Sequence, residues 1–224
     1  MLGMLGKKKL DHDTGVSADF QRALMQEVMK TELLRIKALI ATAVVLGVIV
    51  TIAYFFATEA VTRVWRGNLT PLYLYSIIGP FILFEWWVHG SIQRHMRRGL
   101  DLPLYRRYIG ALIETSMPTV ALALHIDGMG SVAALGFVAP MIYFIFIILS
   151  TLRLDFWLST FTGAVAATQL FCMAKFYHPA ADADPGIFYP AARSLIVLVC
   201  GVLAGAVGHQ LRRQFETSIK AATA

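Results

Sequence analysis

The sequence predicts an all-α polytopic membrane protein, a six-transmembrane-helix bundle preceded by an amphipathic N-terminal helix. The chain is 57% hydrophobic and 15% charged, whereas soluble domains carry about 25% charged residues. Six apolar stretches each approach the roughly 20 residues that a helix needs to cross a bilayer. We predict transmembrane helices over 38–58, 71–91, 108–126, 129–150, 154–177 and 188–209.

The residues before the first span divide into two segments. Residues 1–15 are basic and show no periodicity, so we expect them to be disordered. Over 16–37, apolar residues such as Phe20, Leu24 and Leu33 recur at helical spacing. This segment is predicted to be an amphipathic helix that lies in the cytoplasmic membrane interface or packs against the C-terminal tail.

The distribution of basic residues predicts the topology of the domain at 38–209. Of the 20 Lys and Arg residues, sixteen lie before the first span, after the second, after the fourth or after the sixth, and four lie in the alternate loops. The positive-inside rule then places both termini in the cytoplasm. The net charge of +6 is thereby explained by topology and lipid contact, and a nucleic-acid partner is not expected.

The sixth span continues into a polar helical tail at 210–224. We predict that this tail begins a cytoplasmic signalling helix and that an output domain would follow Ala224. The outer loops are too short to form a folded domain, so an external signal would have to be recognised by the helices or be lipid-soluble. No internal repeat is evident, which weakens a transporter built from inverted halves, although a small transporter or proton pathway stays open.

Ionisable residues within spans are costly and commonly functional. Glu85 lies near the inner end of the second span, Glu114 near the start of the third, and Arg153 and Asp155 in the inner turn after the fourth. All four fall toward the cytoplasmic half. They are interpreted either as an ion-pair network that fixes helix register or as a ligand, proton or cation site.

Pro118 lies four residues after Glu114 and removes a backbone donor from the third span, which predicts a kink. The hydroxyls of Thr115, Ser116 and Thr119 could satisfy the freed carbonyls. The kink and the two carboxylates are therefore the first candidates for a ligand-binding or switching element.

Histidines suggest an alternative site. His89 and His209 lie near the inner ends of the second and sixth spans, and His125 and His178 near the outer ends of the third and fifth. Such pairs could ligate two haems b, and this arrangement resembles the dihaem cytochrome b anchors related to succinate and fumarate reductases. Interfacial histidines with one solvated end are common and need no metal, so the metal-free interpretation is favoured over haem. Three glycines could let a macrocycle approach: Gly201, Gly205 and Gly208.

Several motifs together resemble the six-helix membrane anchors of bacterial class III adenylate cyclases. They are Glu114-Thr-Ser-Met-Pro-Thr119, Ile148-Leu-Ser-Thr-Leu-Arg-Leu-Asp155, Phe161-Thr-Gly-Ala-Val165 and Gly208-His-Gln-Leu-Arg-Arg213. The resemblance implies a homodimer in the bacterial inner membrane, whose sixth helix leads to a cytoplasmic catalytic domain in cis. It also implies a receptor role, with a membrane-borne or small-molecule signal such as an apolar or quinone-like ligand. The chain holds none of the catalytic residues of a cyclase, so we expect no enzymatic activity of this segment alone.

Overall fold

A computed structural model describes residues 2–65, 71–100, 102–177 and 187–223, and within these ranges every regular element is helical. The prediction of an all-helical protein is confirmed to that extent. Short 3₁₀ turns at Ala139–Met141 and Thr151–Arg153 flank the helix Ile142–Ser150. The α-helices are α1 (Leu2–Phe56), α2 (Thr58–Val64), α3 (Pro71–Arg97), α4 (Leu104–Met129), α5 (Ser131–Gly136), α6 (Ile142–Ser150), α7 (Phe156–Phe176) and α8 (Phe188–Thr223).

Four segments are long and apolar enough to cross a membrane: Ala23–Phe56, Leu104–Met129, Phe156–Phe176 and Phe188–Ala221. They correspond to the predicted first, third, fifth and sixth spans. Large apolar side chains remain exposed along them, as contact with a lipid bilayer requires. The chain is therefore a membrane protein by the length and composition of its helices, and the presence of six spans stays a prediction.

The predicted fourth span, 129–150, is not one continuous helix. Helix α4 extends to Met129, the chain turns at Gly130 with a φ of 88°, and α5 ends at Gly136. Pro140 lacks the amide that would bond to the Gly136 carbonyl, so a helix cannot continue through this point without losing that bond. The remainder is a shorter apolar helical segment, Ala139–Arg153.

Helix α1 joins the N-terminal segments to the first span without a break. The structure assigns helix to residues 2–15, where the sequence predicts disorder. Beyond them, one stripe of α1 is buried at helical spacing, across the boundary predicted at residue 38. Its members are Met29, Glu32, Ile36, Leu39 and Ala43.

Helices α7 and α8 form a closely packed pair, called here the glycine-packed pair. A methyl group on Gly163 would collide with the Gly201 backbone, and one on Gly205 would lie 2.7 Å from the Phe156 carbonyl oxygen. Small residues allow helix backbones to approach this closely in membranes. The main apolar core joins this pair to α4 and α6.

The other side of the bundle is built from α1, α3, α4 and the segment 137–146, and is called here the cavity side. Leu39 and Ala43 on α1 pack against Phe81 on α3 in a smaller core. Between these elements the packing leaves an apolar cavity, and charged residues lie one helical turn beyond one end of it.

Candidate functional site

Four charged side chains from three parts of the chain meet inside the bundle and are called here the charged cluster: Glu32, Arg35, Glu114 and Arg153. The Arg35 guanidinium donates two hydrogen bonds to the Glu114 carboxylate, Nη1 to Oε2 and Nη2 to Oε1, the latter at 3.1 Å. Arg35 Nε also donates to Glu32 Oε2 at 2.7 Å, and Arg153 Nη2 donates to Glu114 Oε2 at 2.8 Å. Each of the four residues is at most 4% exposed. Two-point bonds between Arg and a carboxylate fix geometry, so the cluster ties α1 to α4 and to the turn after α6.

A partly exposed rim surrounds this cluster. Arg107 on α4 lies 3.8 Å from Glu32 and 3.8 Å from Asp155, measured between charged atoms. Arg107 and Arg153 also donate to each other's backbone carbonyl oxygens, each at 3.2 Å. Asp155 Oδ1 accepts a hydrogen bond from the Leu158 amide at 3.1 Å and so caps the start of α7. The rim therefore connects the cluster to the first turn of α7.

Glu85 on α3 differs from these residues because its carboxyl group is fully buried and neither oxygen has a hydrogen-bond partner among the described residues. One turn further along α3, His89 Nε2 is also buried and, within the same ranges, unpartnered. A buried polar group without a partner destabilises the fold unless a proton, an ion or another donor reaches it. Glu85 is therefore the most unusual polar group of the site.

The apolar cavity has a volume of about 320 Å³, within the range of about 300–1,000 Å³ that is typical of small-molecule sites. It lies between α1, α3, α4 and the segment 137–146. At its far end the Trp65 and His125 rings are in contact, with centroids 4.5 Å apart and planes inclined at 57°. The residues of α1, α3 and α4 that face it include Leu39, Ala43, Leu46, Ile78, Phe81, Met117, Pro118 and Ala121.

The cavity and the charged residues occupy consecutive turns of the same helix faces. On α1, Leu39 lines the cavity and Arg35 precedes it by four residues; on α4, Pro118 lines it and Glu114 precedes it by four. On α3, Phe81 lines it and Glu85 follows by four. Residues four apart lie on one face of a helix, so these charged groups lie about one turn beyond one end of the cavity and do not themselves line it. This charged layer is called here the floor of the cavity.

The structure places the predicted kink region on the wall of the cavity. Pro118 is fully buried there, and Thr115 Oγ1 donates to the Ala111 carbonyl at 2.7 Å. Ser116 likewise donates to the Leu112 carbonyl, at 2.8 Å. The carbonyl that Pro118 leaves without its amide donor belongs to Glu114, so the two hydroxyls bond earlier carbonyls than the one expected.

Thr119 also differs from the expectation, because its hydroxyl bonds across the bundle. It donates to Gln169 Oε1 at 2.6 Å and lies 2.7 Å from the Tyr143 hydroxyl oxygen. Gln169 Nε2 in turn donates to Ser116 Oγ at 2.8 Å. This ring of bonds holds the Pro118 turn against α6 and α7.

The predicted haem ligands lie in dissimilar surroundings. The ring of His125 packs on Trp65, and its Nδ1 lies 2.7 Å from the Ala121 carbonyl oxygen. His209 is exposed on α8, and His178 lies outside the described residues. The glycines expected to admit a macrocycle instead face α7 and the turn before it. Across the described part of the chain, no group of three or more His, Cys, Asp or Glu side chains converges as a metal-ligand set, and the dihaem interpretation stays a prediction.

Sequence reasoning missed Glu32, Arg35 and Arg107 as site residues. Glu32 lies within the predicted amphipathic helix at 16–37, where the apolar spacing does not single it out, and the two arginines belong to the basic residues interpreted as topology signals. A periodicity signal was present, because Glu32 falls on the stripe of Met29, Ile36 and Leu39. A charged residue in register with a buried apolar stripe indicates an internal partner.

No protein-family model, curated protein or solved structure matches this chain. The resemblance to adenylate cyclase anchors therefore depends on the sequence motifs, and the function is argued from the cavity and the charged cluster.

Proposed function

We propose that this chain is a membrane-embedded receptor domain that binds an apolar or membrane-borne small molecule. The observation that carries this proposal is an apolar cavity of about 320 Å³ whose floor is a network of buried ions joining separate helices. We further propose that the receptor regulates a class III adenylate cyclase catalytic domain connected through α8, as the sequence resemblance implies.

The proposed orientation puts both termini in the cytoplasm of a bacterial inner membrane. With α3 and the segment 129–153 counted as spans, the domain has six crossings, and the charged cluster lies at the cytoplasmic end. Helix α3 has 27 residues and is about 40 Å long, which exceeds the roughly 30 Å hydrocarbon core. Helix α8, with 36 residues, is about 54 Å long, so its polar end would extend into the cytoplasm.

The signal would travel through a shift between two packings of the cavity side. A ligand can shift such an equilibrium only by its different affinity for the two states. The cavity is lined by α1, α3 and α4, and the charged cluster joins two of these helices to the turn that precedes α7. Because α7 packs directly on α8, movement of that turn would reach the helix that leads to the output. In the proposed homodimer, this would change how two α8 helices present their catalytic domains.

Ligand binding is tested by filling the cavity. Ala121 lines it, and Ala121→Leu would occupy part of its volume, whereas Ala206→Leu adds the same side chain to an exposed position of α8. The two proteins and the wild type would be purified in nanodiscs made from native lipid, and co-purified apolar compounds would be compared by mass spectrometry. We expect one compound class to be depleted only by Ala121→Leu; equal amounts in all three would contradict the receptor proposal.

Signal output is tested separately with a fusion. The chain would be joined after Ala224 to a class III cyclase catalytic domain that lacks its own anchor. Adding the identified compound should change cAMP production by the wild-type and Ala206→Leu fusions. It should not change cAMP production by the Ala121→Leu fusion. The cyclase proposal fails if none of the fusions responds although the compound binds.

An absorption spectrum before and after dithionite separates the receptor from the dihaem alternative. A Soret band that persists through purification and weakens in His125→Ala and His89→Ala would favour haem b. Under the receptor proposal, the preparation that contains the bound apolar compound shows no such band.

A further inference from the structure

We infer that the cavity takes a cationic amphiphile, with an apolar body along the cavity and a protonated amine head that binds the Glu85 carboxylate. This inference rests on the proposed receptor function and names the chemical class of its ligand.

The first argument is the charge of the floor. Among the residues that are at most 4% exposed there, three are carboxylic acids and two are guanidiniums. Both guanidiniums bond Glu114, and Arg35 also bonds Glu32. With the partly exposed residues Arg106, Arg107 and Asp155 added, the described acids and bases of this region are equal in number, four of each. Glu85 is nevertheless the acid whose carboxylate oxygens have no partner among the described residues.

The second argument is the position of Glu85. On α3, Ile78 and Phe81 line the cavity, and Glu85 follows on the same face at spacings of seven and four residues. The Phe81 ring packs near that of Phe146, with centroids 5.9 Å apart. Glu85 does not itself line the cavity, so an amine head would have to displace the Phe81 ring, one helical turn away, to reach the carboxylate.

The third argument distinguishes an amine head from other polar heads. A carboxylate or phosphate head would meet Glu85 and Glu114 as like charges. Both Arg35 and Arg153 already bond acids of the cluster, although Arg153 Nε has no partner among the described residues. A hydroxyl head can donate one hydrogen bond, whereas an ammonium has three donors and carries a charge opposite to that of the Glu85 carboxylate. Hydrogen bonds between two charged groups are the stronger kind.

The experiment uses Trp65 as a reporter, because its side chain lines the far end of the cavity. The remaining tryptophans, which are all exposed, would be replaced by Phe: Trp86, Trp87 and Trp157. The full chain in nanodiscs would be titrated with ω-bromododecylamine and with ω-bromododecanoate, whose bromine quenches tryptophan on contact. Quenching by probe that is dissolved in the lipid, and not bound in the cavity, is measured with the Ala121→Leu form and subtracted.

We expect saturable quenching by the amine and binding of the carboxylate that is at least about ten-fold weaker, since each 1.4 kcal/mol changes affinity ten-fold. Glu85→Gln should weaken binding of the amine by a similar factor of about ten. Glu59→Gln is the matched control because Glu59 is exposed on α2, outside the cavity, and it should leave binding unchanged. Glu85→Gln removes no described hydrogen bond, and unchanged quenching by the neutral ω-bromododecane would show that its cavity is intact.

The outcomes separate the two proposals. Equal binding of amine and carboxylate, or no effect of Glu85→Gln, would overturn the inference about the head group and leave the receptor proposal standing. Absence of saturable quenching by all three probes, including the neutral one, would count against the cavity as a ligand site.

Discussion

The two sides of this bundle solve the packing of membrane helices in different ways. In the glycine-packed pair, the backbones of Gly163 and Gly201 are in contact, and Ser159 Oγ donates to the Ser150 carbonyl at 2.7 Å. The buried side-chain groups left without a partner among the described residues of this pair are uncharged hydroxyls, those of Thr160 and Ser194. On the cavity side, large apolar residues leave space between helices, and Glu85 is buried without a partner among the described residues. Stability and ligand response are thus expected to reside on different sides of one domain.

The charged cluster links the two sides. It connects α1 and α4 of the cavity side to the turn before α7. Buried ion pairs of this kind contribute little net stability compared with apolar packing, but they are strongly destabilising when one partner is removed. This makes the cluster suited to hold one arrangement of helices until the cavity changes shape.

The largest expected effect comes from the centre of the cluster. Glu114→Gln leaves two buried guanidiniums with a neutral partner, so we expect a loss of about 3–5 kcal/mol in the free energy of unfolding. The measurement is SDS-induced unfolding in mixed micelles. Exposed Glu59→Gln is the control and should leave the transition in place. A shift no larger than that of the control would show that the cluster does not join the two sides.

The next effect tests the glycine-packed pair. Gly163→Ala adds a methyl group that collides with the Gly201 backbone, and overpacking of this kind costs about 1–3 kcal/mol. Gly79→Ala on α3 makes the same change where no atom lies within 4 Å of the new methyl, and it should be neutral or slightly stabilising. The same unfolding assay compares them. Equal behaviour of the two variants would remove the distinction between the sides.

A smaller effect is expected at the Pro118 turn. Thr119→Val keeps the shape of the side chain but removes the hydrogen bonds to Gln169 and Tyr143. We expect a loss of about 0.6–2 kcal/mol, as for interhelical bonds in membranes, together with a change in cavity ligand affinity. Thr168→Val is the control, because Thr168 is exposed and bonds only its own helix at Ala164. If the ligand affinity of Thr119→Val equals that of the wild type and of Thr168→Val, the Pro118 turn is structural and is not part of the switch.

The smallest effect concerns a contact between the N-terminal part of α1 and the C-terminal part of α8. Lys220 Nζ lies 5.6 Å from the centre of the Phe20 ring, which joins α8 to α1. Lys220→Met removes the charge and keeps the apolar stem. We expect it to weaken the docking of the α8 tail on α1 by about 0.5–1 kcal/mol. Protease cleavage of the α8 tail, compared with exposed Arg213→Met, provides the measurement. Equal cleavage of both variants would argue that the N-terminal helix does not dock on the tail.

Part of the candidate site could be predicted from the sequence. Glu85, Glu114, Arg153 and Asp155 attract attention individually because charges in or beside apolar stretches are costly, and their common depth follows from the alternation of the spans. Which partner each of these side chains bonds could not be predicted. Glu114 accepts bonds from two arginines, Asp155 caps a helix, and Glu85 has no partner among the described residues, because the rotation of each helix about its axis depends on all its neighbours.

The sequence by itself determined that this is an all-helical membrane protein, because long apolar runs must bury their backbone polar groups in helices within a bilayer. The break near Pro140 also follows from local chemistry, but the sequence-based prediction of one continuous span over 129–150 misses it. The tertiary structure alone decided that Glu32 and Arg35 enter the bundle, that the glycines of α8 meet α7, and that a cavity lies above the charged floor. These features depend on which helix faces meet and how closely, and that is set by the summed packing of side chains distant in the chain.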